Sequence, residues 1–316
     1  MKSSFFHLFG NDIKKVTVSS ATKSALRKHC LEVMVLSVGS GEAILLRRDQ
    51  EVILIDGGAG EAPENMALGE FLAGYLKDEK VKLVAFVATH PHTDHLNAIV
   101  PLLLKSGTEL LAQGATYYDN GEDYPTKLQA SLVPLLNSPS NGLSRVRVTQ
   151  AGTTLKLGTD VKARLFVNGR EKPQPVYKSI FMAVKFGQAS FLFTGDAYIP
   201  YENDLLQSDH KDELPAHVLK ITHHGSKYGT GSAFVKQVNP RIAVASTSAK
   251  TDHTVKPEVT VRLTDNRKCE MLDTFTAGGD IVVRTDGKSR KIGGHDGVLY
   301  EVAVRKPGLY QPTGNS

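Results

Sequence analysis

Three histidines and one aspartate lie within six positions of the chain, in the segment 90–95, whose sequence is His-Pro-His-Thr-Asp-His. Imidazole nitrogens and carboxylate oxygens are the ligands that zinc and related divalent ions prefer in proteins. The spacing supplies one pair of ligands, His90 and His92, and a second pair, Asp94 and His95. The segment therefore predicts a site for one or two divalent metal ions, Zn²⁺ or Mn²⁺.

The apolar residues on both sides predict the elements that hold this segment. Residues 83–88 are apolar and partly β-branched, which is typical of a buried strand that ends at Thr89. Residues 96–105 have an apolar spacing that is compatible with a helix. We therefore expect the candidate ligands on a strand-to-helix loop, where rigid neighbours can aim several side chains at one point.

Three further segments carry an aspartate or a histidine pair at the end of an apolar run. They are Val-Ile-Leu-Ile-Asp at 52–56, Phe-Leu-Phe-Thr-Gly-Asp at 191–196 and Leu-Lys-Ile-Thr-His-His at 219–224. With the His-x-His-x-Asp-His motif they resemble, in order and spacing, the metallo-β-lactamase fold hydrolases over about residues 30–290. The resemblance implies an α/β fold, a four-layer αββα sandwich with two sheets face to face and helices outside.

Other details resemble one branch of that family, the hydrolase domain of ComEC-type competence proteins. They are Val-Gly-Ser-Gly-Glu-Ala at 38–43, His-His-Gly-Ser at 223–226 and Gly-Asp-Ile-Val-Val-Arg-Thr-Asp-Gly at 279–287. In those proteins the domain accompanies a membrane channel for DNA uptake and is thought to degrade the strand that is not imported. The resemblance implies a metal-dependent phosphodiesterase or nuclease, with nucleic acid as the leading substrate.

The resemblance also distributes the metal ligands between two sites. The first site would consist of His90, His92 and a bridging Asp196. The second site would consist of Asp94, His95, Asp196 and one of His223 and His224, and the sequence leaves open which of the two. Asp56 would orient a ligand histidine, a role that typically changes metal affinity about tenfold or more. A hydroxide formed on the metal near neutral pH would attack the substrate.

One motif of the family is absent. The family's third motif is a histidine between the second and fourth motifs, but this chain has no histidine between His95 and His210. The first site is therefore expected to bind metal more weakly than the second. An oxygen of Asp119, Glu122 or Asp123 is an alternative ligand that would favour Mn²⁺ over Zn²⁺, although a solvated loop is the preferred interpretation of that stretch.

Four residues are candidates for a direct role in catalysis. Activity is expected to depend on Asp94, while His253 is the candidate general acid for the leaving oxygen, with a surface-loop histidine as the alternative. Lys250 is a candidate phosphate contact. Ser226 is either a hydrogen-bond donor to phosphate or a hydroxyl that caps a turn.

Composition is ordinary for a large soluble domain. The chain has 316 residues, of which 41% are hydrophobic and 22% charged, so we expect one domain over 1–316, with an N-terminal extension and a C-terminal tail around the core. The net charge of +5 permits a nucleic-acid partner without requiring one. Two cysteines, Cys30 and Cys269, suggest no disulfide framework and a reducing compartment.

The chain is expected to be a free-standing cytoplasmic domain without a membrane partner. Its first residues lack the features of a signal peptide, and no apolar run approaches the roughly 20 residues that span a bilayer. Two other functions stay open. A hydrolase of a small ester, thioester or lactam would be expected to carry the third histidine. A regulatory or binding module would follow if the missing ligand abolishes metal binding.

Overall fold

Two β-sheets packed face to face, with helices on their outer surfaces, form the structure, which is a computed structural model. The described residues are 3–59, 64–106, 109–122, 126–138, 142–168, 178–248, 253–264 and 269–306. The predicted C-terminal tail, 308–316, lies outside these ranges. Among the described helices, none combines the length and apolarity needed to cross a bilayer.

The first sheet has eleven strands, in the spatial order β2-β1-β18-β16-β3-β4-β5-β6-β7-β8, with β17 paired to β18. These strands are β1 (Ser3–Phe9), β2 (Asp12–Val16), β3 (Leu31–Val35), β4 (Ile44–Arg48), β5 (Glu51–Ile55), β6 (Lys82–Val87), β7 (Leu111–Asp119), β8 (Ser144–Arg147), β16 (Asp280–Thr285), β17 (Ser289–Ile292) and β18 (His295–Arg305). From β5 to β8 the neighbouring strands are parallel.

The second sheet has seven strands, in the order β15-β14-β13-β12-β11-β10-β9. They are β9 (Thr153–Leu157), β10 (Val161–Phe166), β11 (Phe181–Phe186), β12 (Ala189–Phe193), β13 (Val218–Lys220), β14 (Ile242–Ala245) and β15 (Glu270–Asp273). From β12 to β15 the neighbouring strands are parallel.

Nine α-helices and two 3-10 turns connect the strands in the described ranges. They are α1 (Ser20–Lys28), α2 (Glu64–Asp78), α3 (Thr93–Leu96), α4 (Ile99–Ser106), α5 (Lys127–Leu136), α6 (Ile199–Leu205), α7 (Ser232–Val238), α8 (Pro257–Thr264) and α9 (Thr274–Ala277), with 3-10 turns at Asp209–Glu213 and Thr222–Gly225.

After Glu51, every residue of strand β5 is apolar, because both faces of the strand are covered. Ile53 and Ile55 belong to the cluster between the sheets, whereas Val52 and Leu54 belong to the cluster under the outer helices. A strand that is covered on both faces buries both sets of alternating side chains, so an uninterrupted apolar run is its signature.

Three hydrophobic clusters define four layers. The first of them lies between the sheets and includes residues of both. A second cluster packs α2, α4 and α5 on the first sheet through residues such as Leu72, Leu102 and Leu132. A third packs α6, α7 and α8 on the second sheet, with Phe234 and Val259 fully buried. The predicted αββα architecture is therefore confirmed.

The first sheet extends past the expected core of 30–290 at both ends of the chain. Strand β1 pairs antiparallel with β18, with Phe6 opposite Tyr300, and β18 pairs in turn with β16. The segments 3–16 and 295–305 thus form part of the sheet. Pairing across nearly the whole length of the chain leaves no local turn signal, which is why the sequence pattern missed it.

Candidate metal centre

The predicted ligands meet where the carboxyl ends of both sheets converge. In the first sheet, Asp56 follows β5 directly, and the loop with the His-x-His-x-Asp-His motif follows β6. In the second sheet, Asp196 lies just beyond β12, and the turn with the histidine pair follows β13. Carboxyl ends of parallel strands lie on one edge of a sheet, so segments far apart in sequence share one crevice.

Four residues, which we call the central cluster, come close enough to hold one ion. Ligand atoms of Asp94, His95, Asp196 and His224 all lie within 4.8 Å of one another. The Oδ2 atom of Asp196 lies 3.3 Å from His95 Nε2 and 3.5 Å from His224 Nε2, and His95 Nε2 lies 3.8 Å from Asp94 Oδ2. Three of the side chains are buried, and that of Asp94 is 30% exposed.

Hydrogen bonds orient both imidazoles of the central cluster with Nε2 toward the site. His95 Nδ1 lies 2.7 Å from Asp56 Oδ2, and His224 Nδ1 lies 3.1 Å from the carbonyl oxygen of Ser246. Because these oxygens only accept hydrogen bonds, each Nδ1 carries the proton of the neutral ring, and the Nε2 lone pair of that neutral ring faces the site. Imidazoles that ligate metals are held in this way by a partner on the other nitrogen.

Asp56 is the partner that organises the metal loop. Its Oδ1 accepts a hydrogen bond from Thr89 N at 2.8 Å, and its Oδ2 accepts one from Thr89 Oγ1 at 2.7 Å, besides that from His95. Since the Thr89 hydroxyl donates to Asp56, it accepts from His90 Nδ1 at 3.0 Å, which leaves His90 Nε2 with a lone pair. Asp56 itself has a φ of 52°, a left-handed conformation that non-glycine residues seldom adopt.

Four buried polar atoms at this centre lack a hydrogen-bond partner among the described residues. They are His90 Nε2, His95 Nε2, His224 Nε2 and Asp196 Oδ1. Buried polar atoms are nearly always paired, and an unpaired one is costly. Three lone pairs of imidazoles and a carboxylate oxygen match the donor set that a divalent transition ion requires. The residues therefore fit a metal ion.

The charges around the centre favour a cation. Burial lowers the pKa of His95, but the carboxylates of Asp196, Asp56 and Asp94 outweigh burial and hold that pKa well above the usual value. For Asp196, burial raises the pKa of the carboxyl, but His224 and His95 outweigh it, so the pKa lies well below the usual range. A positive charge is thus stabilised where the ligand atoms converge.

Glycines let the backbone of the metal loop pack against two neighbouring loops. A Cβ atom on Gly58 would lie 1.8 Å from the carbonyl oxygen of Asp94, and one on Gly41 would lie 2.7 Å from the same oxygen. That oxygen accepts a hydrogen bond from Glu42 N at 3.1 Å, and Gly57 N donates to the carbonyl of His95 at 2.6 Å. The glycines of the 38–43 and 52–58 segments therefore fix the position of the ligands.

A buried ion pair beside the centre was not predicted. Lys220 Nζ contacts Glu42 Oε2, and both side chains are almost completely buried. The same Nζ lies 3.9 Å from Asp196 Oδ1 and donates to the carbonyl of Gly195 at 3.4 Å. The only signal in the sequence was the presence of single charges in apolar surroundings, a lysine at the end of β13 and a glutamate just before β4.

The structure distinguishes the two adjacent histidines. They lie on a 3-10 turn rather than on a strand, and each has a φ of 52°. His224 is buried in the central cluster, whereas His223 is partly exposed, lies 3.8 Å from Asp196 Oδ2 and stacks on Tyr198. Burial lowers the pKa of His223 to about 4.

The first site is less complete than the second. The rings of His90 and His92 lie 4.5 Å apart, but their ligand atoms do not form a close group of three with Asp196 in the described part of the chain. Asp119 had been expected on a solvated loop, but it is the last residue of β7 and is buried. It lines a small cavity with His90 and accepts a hydrogen bond from Arg145 Nε at 2.5 Å.

Glu122 is the other acidic candidate that the structure describes, and it is paired with a lysine. Glu122 forms an ion pair with Lys178 at 3.2 Å, and Asp123 lies outside the described residues. Within the described part of the chain, no carboxylate forms a close group of three ligand atoms with His90 and His92.

The remaining candidates have different surroundings. The ring of His253 stacks on that of His224, with centroids 5.0 Å apart and planes 8° from parallel. Ser226 ends the histidine turn, and its Oγ accepts a hydrogen bond from Tyr228 N at 3.4 Å, which is the geometry of a turn-capping hydroxyl. Lys250 lies outside the described residues.

Comparison with known families agrees with this geometry. The model of the metallo-beta-lactamase superfamily matches residues 36–249, about two thirds of the chain. The chain belongs to the metallo-beta-lactamase superfamily. Among solved structures, the metallo-beta-lactamase fold protein YhfI from Bacillus subtilis is similar, with a TM-score of 0.52 and 13% identity over 86% of this chain and 99% of that one. At that identity the likeness shows the superfamily fold alone.

Two curated relatives within this superfamily are much longer than the chain. ComE operon protein 3 of Bacillus subtilis (strain 168) is 26% identical over 231 residues, which cover 68% of this chain and 28% of that protein. Recombination protein 2 of Haemophilus influenzae is 27% identical over 229 residues, covering 70% and 25%. The chain thus spans about a quarter of their length, and the match agrees with the ComEC-like motifs.

Proposed function

We propose that this metallo-beta-lactamase superfamily hydrolase is a phosphodiesterase that cleaves nucleic acid with the help of a divalent metal ion. The observation that carries the proposal is the central cluster, in which unpaired Nε2 atoms of two buried histidines converge with two carboxylates. Such a donor set holds a Zn²⁺ or Mn²⁺ ion, and it leaves room for a second, weaker ion at His90 and His92.

The residues of the site would have three roles: to hold the ion, to orient a ligand histidine and to donate a proton. Asp94, His95, Asp196 and His224 would hold the ion, and Asp56 keeps His95 in the tautomer that it needs. When bound, the ion activates water near neutral pH and stabilises negative charge on the phosphoryl group.

The ring of His253 stacks on that of His224, which belongs to the central cluster. From that position it would donate a proton to the leaving oxygen, a step that typically contributes about 10² to 10⁴ in rate.

Three observations support a phosphodiester rather than a lactam or thioester as substrate. The motifs at 38–43, 223–226 and 279–287 resemble ComEC-type hydrolase domains, and the curated relatives include a ComE operon protein and a recombination protein. A hard carboxylate, Asp196, lies at the middle of the ligand set. The net charge of +5 suits a polyanionic partner.

The test is a substrate screen on metal-stripped protein reloaded with Zn²⁺ or Mn²⁺. Single-stranded DNA, RNA and bis(p-nitrophenyl) phosphate are compared with a lactam and a thioester, and Asp94→Ala serves as the inactive control. We expect phosphodiester cleavage that needs the metal and weakens as salt rises, because neutralised phosphates release counterions. Efficient opening of the lactam or thioester with all phosphodiesters intact would contradict the proposal.

A further inference from the structure

A row of aromatic side chains leads from the metal centre to the surface. His223 stacks on Tyr198, with ring centroids 5.0 Å apart and planes 29° from parallel. Tyr198 in turn contacts Tyr228 edge to face, with centroids 6.3 Å apart. The side chain of Tyr228 ends the row and is 60% exposed, so its ring is open to a ligand.

A cation accompanies the exposed end of this row. The Nζ atom of Lys227 lies 5.3 Å from the centroid of the Tyr228 ring. An exposed contact between a lysine and an aromatic ring is weak, and the lysine stem is flexible. The ammonium can therefore move to a phosphate while another flat group takes its place on the ring.

The turn that carries Tyr228 is held rigidly. The carbonyl of Tyr228 accepts a hydrogen bond from Ile199 N at 2.7 Å, at the start of α6. The guanidinium of Arg262 donates to the carbonyl oxygens of Lys227 and Gly229 at 3.2 and 3.1 Å. A preorganised aromatic surface loses little conformational entropy when a ligand stacks on it, which favours binding.

We propose that Tyr228, with Tyr198 behind it and Lys227 beside it, is a subsite that stacks one unpaired base of a single-stranded nucleic acid next to the scissile phosphodiester. This inference rests on the proposed function. Stacking on an aromatic ring requires a base that is free of its partner strand, so the subsite selects single strands over duplexes. Every base has a flat aromatic face, so the subsite tolerates any sequence.

The chain offers a direct reporter, because it contains no tryptophan. In the Tyr228→Trp variant the introduced indole is the only one, and its fluorescence reports a base that stacks on it. The metal-loaded protein is titrated with a phosphorothioate-linked oligothymidylate, which resists cleavage, with an abasic strand of equal length and charge, and with a duplex. We expect quenching by the oligothymidylate, and little by the abasic strand or the duplex.

Affinity measurements on proteins without the introduced tryptophan complete the test. Tyr228→Ala should weaken binding of the oligothymidylate between about 5-fold and about 150-fold, because that is the range for one stacked base. Tyr228→Phe keeps the ring and should bind as the wild type does. Lys227→Ala should bind less tightly with a shallower salt dependence, whereas Lys236→Ala, an exposed lysine on α7, should not.

Equal affinity of the wild type for the abasic strand and the oligothymidylate, or an unchanged affinity in Tyr228→Ala, would overturn the subsite. Cleavage of bis(p-nitrophenyl) phosphate by the wild type separates this failure from failure of the proposed function. If the wild type cleaves that phosphodiester while base and abasic strands bind equally, the subsite is wrong and the function stands. If the wild type cleaves no phosphodiester, the function is wrong whatever the fluorescence shows.

Discussion

Replacing Asp56 with asparagine should loosen the metal centre without changing its ligands. The carboxylate accepts three hydrogen bonds, one at Oδ1 from Thr89 N and two at Oδ2 from Thr89 Oγ1 and His95 Nδ1. An asparagine has one accepting oxygen and one NH₂ group. Turned either way, its NH₂ faces at least one donor, so the amide cannot satisfy all three partners.

The magnitude follows from which bond is lost. With the NH₂ group toward His95, the buried Nδ1 loses its acceptor; with the NH₂ group toward Thr89 N, the backbone of the metal loop loses its anchor, and His95 keeps only a neutral amide oxygen in place of a carboxylate. Losing a buried hydrogen bond to a charged group costs about 1.5–3 kcal/mol, and losing the partner of a ligand histidine typically lowers metal affinity about 10- to 100-fold. A tenfold change corresponds to about 1.4 kcal/mol, so the two ranges agree.

The assay is competition for Zn²⁺ or Mn²⁺ against a chromophoric chelator, with the stability of the metal-free protein measured by urea unfolding. Asp78→Asn, which neutralises an exposed carboxylate near the end of α2, is the matched control and should change neither quantity. Asp56→Asn should bind metal at least about tenfold more weakly. Metal affinity within twofold of the wild type would refute the role that the geometry gives to Asp56.

Three further substitutions test the frame around the centre. Gly58→Ala places a Cβ 1.8 Å from the Asp94 carbonyl oxygen, so it should destabilise the fold by about 3 kcal/mol and weaken metal binding. Gly74→Ala, in open space on α2, should lower neither the free energy of unfolding nor the metal affinity, and equal behaviour of the two variants in urea unfolding would contradict this. Lys220→Met leaves a buried glutamate without its partner and should cost about 3–5 kcal/mol, and a loss below about 1 kcal/mol would count against the ion pair. Burial raises the pKa of Glu202 from 4.5 to about 7, so the unfolded chain loses this proton first as pH rises. The free energy of unfolding should therefore fall by about 3 kcal/mol between about pH 4.5 and 7. Glu202→Gln should remove that part of the pH dependence from unfolding curves measured across this range.

The sequence predicted the elements whose local pattern is strong. Its apolar runs predict strands at 42–48, 51–56, 82–89, 179–186 and 189–194, and helices at 63–77, 96–105 and 256–265. The observed elements β4, β5, β6, β11, β12, α2, α4 and α8 lie close to these bounds. It missed β7, β9, α5, α6 and α7, and it missed the strands at the two ends of the chain. Strands β1 and β18 are joined only by distant pairing, and half-polar helices such as α7 gain most of their stability from packing rather than from local preference.

At the metal centre, residue type was predictable and geometry was not. The sequence named His95, Asp196 and the histidine pair, because ligands of this kind follow strands in motifs of fixed spacing. It could not choose between His223 and His224, since the choice depends on two left-handed residues in a tight turn. It also missed the pairing of Glu42 with Lys220, because no local pattern shows that two charges far apart in sequence are buried together.

The most direct test of the metal centre compares the two adjacent histidines. His224 belongs to the central cluster, whereas His223 stacks on Tyr198 outside it. The measurement is the binding isotherm of Zn²⁺ and of Mn²⁺ for His224→Ala and His223→Ala, each prepared metal-free and followed by calorimetry. We expect His224→Ala to lose the tighter of the metal-binding events and His223→Ala to retain it. Tight binding that survives in His224→Ala and disappears in His223→Ala would contradict the assignment of the centre.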